Sequence, residues 1–301
     1  MPGPARQLGT VLVGTLPAAG GVGGDLAAHE AADDPDGQGI DSNPTFVEIV
    51  GGKNYVIDAG ANALLRQSGS AISTVSVFEN RMVPKPPFLP PPGLMPMQSV
   101  PTTVVVGPDG ALYVSELTGF PFPAGEARIW RVVLGSAPTV YATGLTNVTG
   151  LAFAGRTLYA VEFSSAGLLT VPEGEVPTGS LLRITPGASR HTVIAGGLTA
   201  PYGVAIRGGS TYVTTCGLCA GAGVWSRSVC DPTRSRVIDS QSARATTPTI
   251  RANVRRVGAA ELPARRSDGM PRCGRQMGSR RVTKWRSCAR LRHSCMSTTS
   301  A

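Results

Sequence analysis

The 301-residue sequence predicts an all-β fold, a partial β-propeller followed by a disordered C-terminal tail. Four segments of the chain align with one another, and each begins with two short apolar stretches on either side of a glycine turn. The composition, with 38 Gly and 25 Pro, suits many turns and few long helices. No 3.6-residue period runs through these segments, which argues against leucine-rich and helical repeats.

The aligned segments share a tyrosine in their second apolar stretch, and the tyrosines recur about every 50 residues, close to one propeller blade with variable loops. The segments are SNPTFVEIVGGKNYVID from Ser42, SVPTTVVVGPDGALYVSE from Ser99, TNVTGLAFAGRTLYAVE from Thr146 and TAPYGVAIRGGSTYVTT from Thr199. Gly107-Pro-Asp109-Gly110 is the clearest of the turns, because Asp-Gly suits a tight hairpin.

The first three repeats each predict four short strands, which is the content of one blade. The first strands are Phe46–Val50, Val104–Val106, Leu151–Phe153 and Val204–Ile206. The second strands contain the tyrosines. Third strands are expected at Ala63–Arg66, Arg128–Val132 and Ser180–Ile184, and fourth strands at Ile72–Val77, Pro138–Ala142 and Thr192–Ala195.

The predicted organisation has three parts. Residues 1–41 form a partial blade, with one strand within Leu8–Leu16, and an acidic Gly-rich loop. Residues 42–215 hold about three whole blades plus fragments, and residues 216–301 are an Arg- and Cys-rich tail. Propellers close with about four to eight blades, so we expect at least one blade to be missing at the start and the closing blades to be missing at the end.

Three strings support a family resemblance: PDGQGIDSNP from Pro35, ELTGFPFPAG from Glu116 within the insertion Val83–Val132, and GLTAPYGVAI from Gly197. The repeats resemble NHL-type propellers and, more closely, the ScyD/ScyE family, over about residues 9–215. The resemblance implies a six-bladed propeller, export to the periplasm or cell exterior, and no settled chemistry.

The sequence itself offers no recognisable signal peptide, because Gly14 and Thr15 interrupt the apolar run Val11–Leu16. No apolar run reaches the roughly 18 residues that a membrane span needs.

The tail differs sharply from the preceding chain. Seventeen of the 28 Lys and Arg residues and all six Cys lie in the last 86 residues, with only four of the 19 acidic residues. The formal net charge of +9 therefore belongs to the tail and does not indicate what the blades bind.

Three interpretations of the tail compete. Cys216-x2-Cys219 has zinc-ligand spacing but no second such pair, so we disfavour a zinc module. An Arg-rich stretch with Trp285 suits nucleic acid, yet the basic residues follow no periodic face, so nucleic-acid binding is also disfavoured. We favour a shifted reading frame, because Cys and Arg appear abruptly and Lys nearly vanishes.

Candidate ligand-binding residues follow the second strands. Asp58, Glu116 and Glu162 each lie just past a tyrosine-containing strand, and such positions share one rim near the channel. Carboxylates converging there could hold Ca²⁺ or act as acid and base. Alternatively they bind backbone N–H groups between blades, which their recurrence favours.

A candidate metal site lies in the acidic loop, at Asp34, Asp36 and Asp41. This stretch resembles a short calcium loop but lacks the full EF-hand ligand set, and Asp and Gly also simply make turns. Ca²⁺ is the one cofactor that the sequence suggests.

Two loops complete the candidate features. Phe120 and Phe122 either form a ligand platform on the rim or pack over the neighbouring blade. The Pro-rich stretch Pro84–Pro96 predicts a polyproline II linker between blades, with recognition by a partner as the alternative.

The functional expectation is a non-enzymatic binding or scaffold propeller, with a small molecule or protein at its rim and no membrane span. The histidines His29, His191 and His293 sit in no Ser/His/Asp motif, which argues against a nucleophile–base site. The alternatives are a Ca²⁺-dependent lactonase- or hydrolase-like propeller and a tail that binds nucleic acid.

Overall fold

Short strands joined by tight turns build this protein. The computed structural model describes residues 10–13, 21–219 and 224–228. Within them every sheet is antiparallel, and no helix has the length and apolar character needed to cross a membrane.

The first elements are a two-stranded sheet and a helix: β1 (Thr10–Val13), β2 (Gly21–Asp25) and α1 (Leu26–Asp33). Asp25 caps the helix, since its Oδ1 accepts a hydrogen bond of 2.9 Å from the backbone N–H of Ala28. The strand predicted within Leu8–Leu16 is therefore present, and β2 and α1 are further elements that the sequence reasoning did not predict.

Three complete four-stranded blades follow within the described residues. The first comprises β3 (Pro44–Val50), β4 (Lys53–Asp58), β5 (Ala63–Ser68) and β6 (Ala71–Val77). A two-stranded insert follows, β7 (Arg81–Pro84) and β8 (Leu94–Met97). The second blade comprises β9 (Pro101–Val106), β10 (Leu112–Glu116), β11 (Ala127–Val132) and β12 (Thr139–Leu145). The third comprises β13 (Val148–Ala154), β14 (Thr157–Glu162), β15 (Thr178–Arg183) and β16 (Thr192–Thr199).

The fourth blade shows three strands: β17 (Val204–Arg207), β18 (Ser210–Thr215) and β19 (Val224–Ser228). Blade structure thus continues one strand beyond the boundary predicted at Thr215. The remaining predictions for the tail, including disorder, a shifted frame and nucleic-acid binding, concern residues outside the described part of the chain.

Two local predictions meet the structure differently. The Asp109-Gly110 turn is present, and Gly110 has a φ of +77°, which explains the preference for glycine there. The Pro-rich stretch is not a linker of polyproline II alone, because its two ends pair as β7 and β8.

Threonines at one repeat position join the inner strands of successive blades. Thr45 Oγ1 donates to the carbonyl of Thr102 (3.0 Å), and Thr102 Oγ1 donates to the carbonyl of Val148 (2.7 Å). Thr149 Oγ1 then donates to the carbonyl of Tyr202 (2.7 Å). The inner strands β3, β9, β13 and β17 accordingly lie side by side in chain order, as in a propeller hub.

The core lies in the layers between blades. The repeat tyrosine Tyr113 makes edge-to-face contacts with Tyr141 of its own blade (centroids 4.8 Å apart) and Phe153 of the next blade (5.0 Å). Its ring is buried with Leu151 and Leu158 of that next blade. The repeat position therefore places a large aromatic ring where two blades must pack, which is why tyrosine recurs.

Candidate functional site

The three predicted rim carboxylates are buried, and hydrogen-bond donors of the surrounding loops and strands occupy them. Asp58 accepts bonds of 2.6 Å from Ser42 Oγ and from the backbone N–H of Asn43. Glu162 accepts bonds from the backbone N–H of Thr146 (2.9 Å) and from Ser180 Oγ (2.8 Å). Burial raises the pKa of Glu162, against the lowering effect of these donors.

Glu116 has the densest set of partners. Arg81 binds both its carboxylate oxygens, at 2.9 and 2.8 Å. Ser99 Oγ donates to Oε1 at 2.7 Å, as does Trp130 Nε1 at 2.5 Å, and the backbone N–H of Arg128 donates to Oε2 at 3.0 Å. Glu116 thus joins the β7–β8 insert, the start of β9 and the start of β11.

The partners follow the repeat. Ser42, Ser99 and Thr146 are the first residues of the aligned segments, so each carboxylate holds the loop that enters its own blade. The bonds include hydroxyl and guanidinium donors in addition to the backbone N–H groups expected from the sequence. Whether these residues also bind a ligand stays a prediction.

The loop between β10 and β11 presents the two phenylalanines. The first residues of this loop continue the β9–β10 pairing. The N–H groups of Leu117, Thr118 and Gly119 donate to the carbonyls of Val100, Ser99 and Gln98, at 2.9 to 3.0 Å. Phe120 is 39% exposed, and its ring centroid lies 6.2 Å from that of half-buried Phe122, edge to face. The structure therefore brings the two predicted aromatics together at the surface.

The third blade and the insert hold this loop at both ends. Asn147 Nδ2 donates to the carbonyl of Leu117 (2.7 Å), and the N–H of Gly125 donates to Thr146 Oγ1 (3.0 Å). Arg81 also donates to the carbonyl of Glu126 at 2.8 Å.

The backbone near this loop is conformationally unusual. Val100, Thr118 and Phe122 have positive φ values of 48°, 70° and 55°, a region that β-branched and bulky residues rarely adopt. Such conformations persist only where surrounding bonds enforce them, and they concentrate at functional sites.

Further apolar side chains are exposed on the same rim, in the third and fourth blades. They are Leu169 in the β14–β15 loop, Tyr202 before β17 and Leu218 after β18. A disulfide joins Cys216 and Cys219 around Leu218. The two cysteines whose spacing suits zinc are thus paired with each other in this structure.

An acidic cluster forms where α1 ends. One carboxylate oxygen from each of Glu30, Asp34 and Asp36 lies within 4.8 Å of the other two. Glu30 is fully buried, and neither of its oxygens has a hydrogen-bond partner. Burial, followed by the charges of Asp58, Asp36, Asp41 and Asp34, raises the pKa of Glu30 to about 7.

The loop after α1 shapes this cluster. Asp34 ends the helix with a φ of 39°, and its carboxylate accepts a bond of 3.3 Å from the N–H of Gly39. Asp36 accepts bonds from the N–H of Gln38 (3.0 Å) and from Asn62 Nδ2 (2.6 Å). These bonds fold the loop back on itself and onto the β4–β5 turn.

Asp41 has a different place. Its carbonyl lies so close to Gly60 that a Cβ there would be 1.5 Å from the oxygen, so only glycine fits. Desolvation and then the charges of Asp36, Asp58 and Asp34 raise the pKa of Asp41. The close group contains the predicted Asp34 and Asp36 and adds Glu30, which sequence reasoning missed. The sequence signal that could have identified Glu30 was its position four residues before Asp34, one helical turn away.

The fold and these sites define an all-β repeat protein of the propeller class. No family model and no curated protein matches the chain. Among solved structures, the computationally designed Ika4 protein is similar at 10% identity and a TM-score of 0.39, over 64% of this chain and 94% of that one. An α-L-arabinofuranosidase from Clostridium thermocellum is similar at 11% identity and a TM-score of 0.35, over 57% of this chain and 59% of that one.

Proposed function

We propose that this protein acts by binding rather than by catalysis, as a propeller of the ScyD/ScyE type, and that the rim bearing Phe120 is its binding surface. The supporting observation is that two aromatic side chains are presented on a loop held at both ends. The ligand is a small molecule or a protein segment with an apolar or aromatic face.

Preorganisation supports this choice of surface. The bonds from Asn147 to Leu117 and from Gly125 to Thr146 order the loop before any ligand arrives. Because the loop is already ordered, a ligand can bind without the loss of conformational entropy that ordering a mobile loop would require. Aromatic rings also contribute large contact areas with few rotatable bonds.

The partners of the rim carboxylates favour binding over the hydrolase alternative. A general base or metal ligand needs a lone pair directed at its substrate or metal. The oxygens of Glu116 face Arg81, Ser99, Trp130 and the backbone of Arg128, and those of Glu162 face Ser180, Ser165 and the backbone of Thr146. Both residues therefore hold neighbouring strands and loops of their blades together.

The test uses a panel of fluorinated aromatic fragments, followed by fluorine NMR line broadening on the full chain. At least one fragment should bind the wild type, and Phe120→Ser should weaken that binding at least tenfold. Leu134→Ser is the matched control, because Leu134 is also an exposed apolar residue and lies in the β11–β12 hairpin on the opposite rim. Equal binding to both variants would contradict the proposal. Hydrolysis of a model lactone that disappears with Glu162→Gln would favour the hydrolase alternative.

We also propose that the protein is exported. The disulfide between Cys216 and Cys219 supports this, since disulfides persist in oxidising compartments and are rare in the cytosol. Thiol alkylation and mass spectrometry on protein from its native cells should find the two cysteines joined. Fully alkylated cysteines would count against export.

A further inference from the structure

The last turn of α1 contains an electrostatic conflict. Glu30 is completely buried, yet neither carboxylate oxygen has a hydrogen-bond donor. An ionised carboxylate removed from water without a partner is strongly unfavourable. The rim carboxylates of the same protein, by contrast, are all supplied with donors.

The groups around Glu30 make an ionised carboxylate there still less favourable. Asp34 and Asp36 each place a carboxylate oxygen within 4.8 Å of a carboxylate oxygen of Glu30. The cluster also lies at the carboxyl end of α1, where Asp34 N–H bonds the carbonyl of Glu30. That end of a helix carries partial negative charge and attracts cations.

The geometry of the cluster suits one metal ion. Ca²⁺ binds oxygen ligands at about 2.3–2.6 Å, so two of its ligands lie at most about 5 Å apart. The oxygens of Glu30, Asp34 and Asp36 lie within 4.8 Å of one another. The three oxygens are therefore close enough to share one ion after small side-chain movements.

We propose that Glu30, Asp34 and Asp36 form a Ca²⁺ site that fastens the end of α1 and its following loop to the first complete blade. Hard carboxylate oxygens without His or Cys favour Ca²⁺ over zinc or copper. Ca²⁺ also tolerates irregular ligand arrangements better than Mg²⁺, which requires near-ideal octahedral geometry. Water completes the coordination.

The site is connected to the blades through Asn62. Asn62 Nδ2 donates to Asp36 at 2.6 Å, while its Oδ1 accepts the backbone N–H of Val100 at 2.8 Å. Helix α1 itself packs through Leu26 onto Val56 and Leu65 of the first blade. Ca²⁺ would therefore stabilise the contact between the N-terminal elements and the propeller. This role does not depend on a ligand at the Phe120 rim.

The experiment is calorimetric titration of the chelator-treated full chain with CaCl2, with a parallel thermal melt. We expect one Ca²⁺ per chain and a melting temperature that rises with Ca²⁺. Glu30→Gln should weaken binding at least tenfold and abolish the thermal shift. In metal-free buffer the same variant should melt at or above the wild-type temperature, because it removes an uncompensated charge. Glu173→Gln, which changes an exposed carboxylate in the β14–β15 loop, should bind Ca²⁺ like the wild type.

Three results would overturn the proposal: no Ca²⁺ bound by the wild type, unchanged binding by Glu30→Gln, or Mg²⁺ bound as tightly as Ca²⁺. If Glu30→Gln does not fold, Asp36→Asn provides the same comparison at a partly exposed position, and unchanged Ca²⁺ affinity in that variant would equally overturn it. Fragment binding at the Phe120 rim is measured separately, so the two proposals can fail independently.

Discussion

Glu116 and Glu30 are both completely buried acidic residues, and they differ in what surrounds them. Glu116 is met by a bidentate arginine, a hydroxyl, an indole N–H and a backbone N–H. Glu30 instead lies beside the carboxylates of Asp34 and Asp36. Burial alone therefore says little about the role of an acidic residue. The donors around it distinguish a structural brace from a buried carboxylate whose charge has no partner.

The largest expected difference between Glu116 and Glu30 is in the free energy of unfolding when each carboxylate is removed in metal-free buffer. Glu116→Ala leaves Arg81 without its partner and should lower the free energy of unfolding by about 3–5 kcal/mol, the range for breaking a buried ion pair. Glu30→Gln should leave it unchanged or raise it. Urea unfolding followed by tryptophan fluorescence measures both.

A matched control for Glu116 is Arg131→Gln. It also breaks an Arg–carboxylate pair, with Asp109 at 2.8 Å, but both side chains are about one-third exposed. Water screens the charges of such an exposed pair, so this variant should unfold with nearly the wild-type free energy. A large decrease in the free energy of unfolding for Arg131→Gln, or a small decrease for Glu116→Ala, would contradict the distinction between buried ion pairs and surface ion pairs.

The threonine bonds between blades offer a smaller effect. Thr149→Val keeps the side-chain volume but removes the bond to the carbonyl of Tyr202. The free energy of unfolding should fall by about 1–2 kcal/mol, because the carbonyl loses its donor. Thr139→Val, at an exposed hydroxyl bonded within its own blade, is the control and should have less effect. Equal losses would show that the hub position has no special role.

The smallest effect is a pH dependence at Glu162. Burial raises the pKa of Glu162 in the folded state above its ordinary value of 4.5, so the folded chain holds this proton more tightly than the unfolded chain. The stability from this group is complete below pH 4.5 and declines as the pH rises through the folded-state pKa. Relative to Glu162→Gln, the wild type should therefore lose stability with rising pH. Unfolding curves between pH 4 and 8 measure the difference, and an increase would contradict the direction of the shift.

The blades were predictable because their information is local and repeated. Val104–Val106 and the Asp109-Gly110 turn have strand and hairpin signals of their own, and the structure has β9 and a turn there. β2 and α1 had no repeat to support them. The string GVGGD also has little strand propensity, and it forms β2 through its pairing with β1.

The candidate sites were only partly predictable. Asp34 and Asp36 stood out because acidic residues and glycines alternate as in a calcium loop. Glu30 did not, since a glutamate on a short Ala-rich helix is ordinarily exposed. Its burial follows from the packing of α1, through Leu26, onto Val56 and Leu65.

The sequence by itself determined the all-β repeat, the turns between strands and the recurrence of an acidic residue after each of three second strands. These features depend on strand propensity and glycine conformations, which act over a few residues. Only the tertiary structure decided which groups surround each acidic residue. Glu116 pairs with Arg81, Glu162 accepts bonds from hydroxyls, and Glu30 lies beside other carboxylates. The physical reason is that desolvation and charge act through space, between residues brought together by packing from distant parts of the chain.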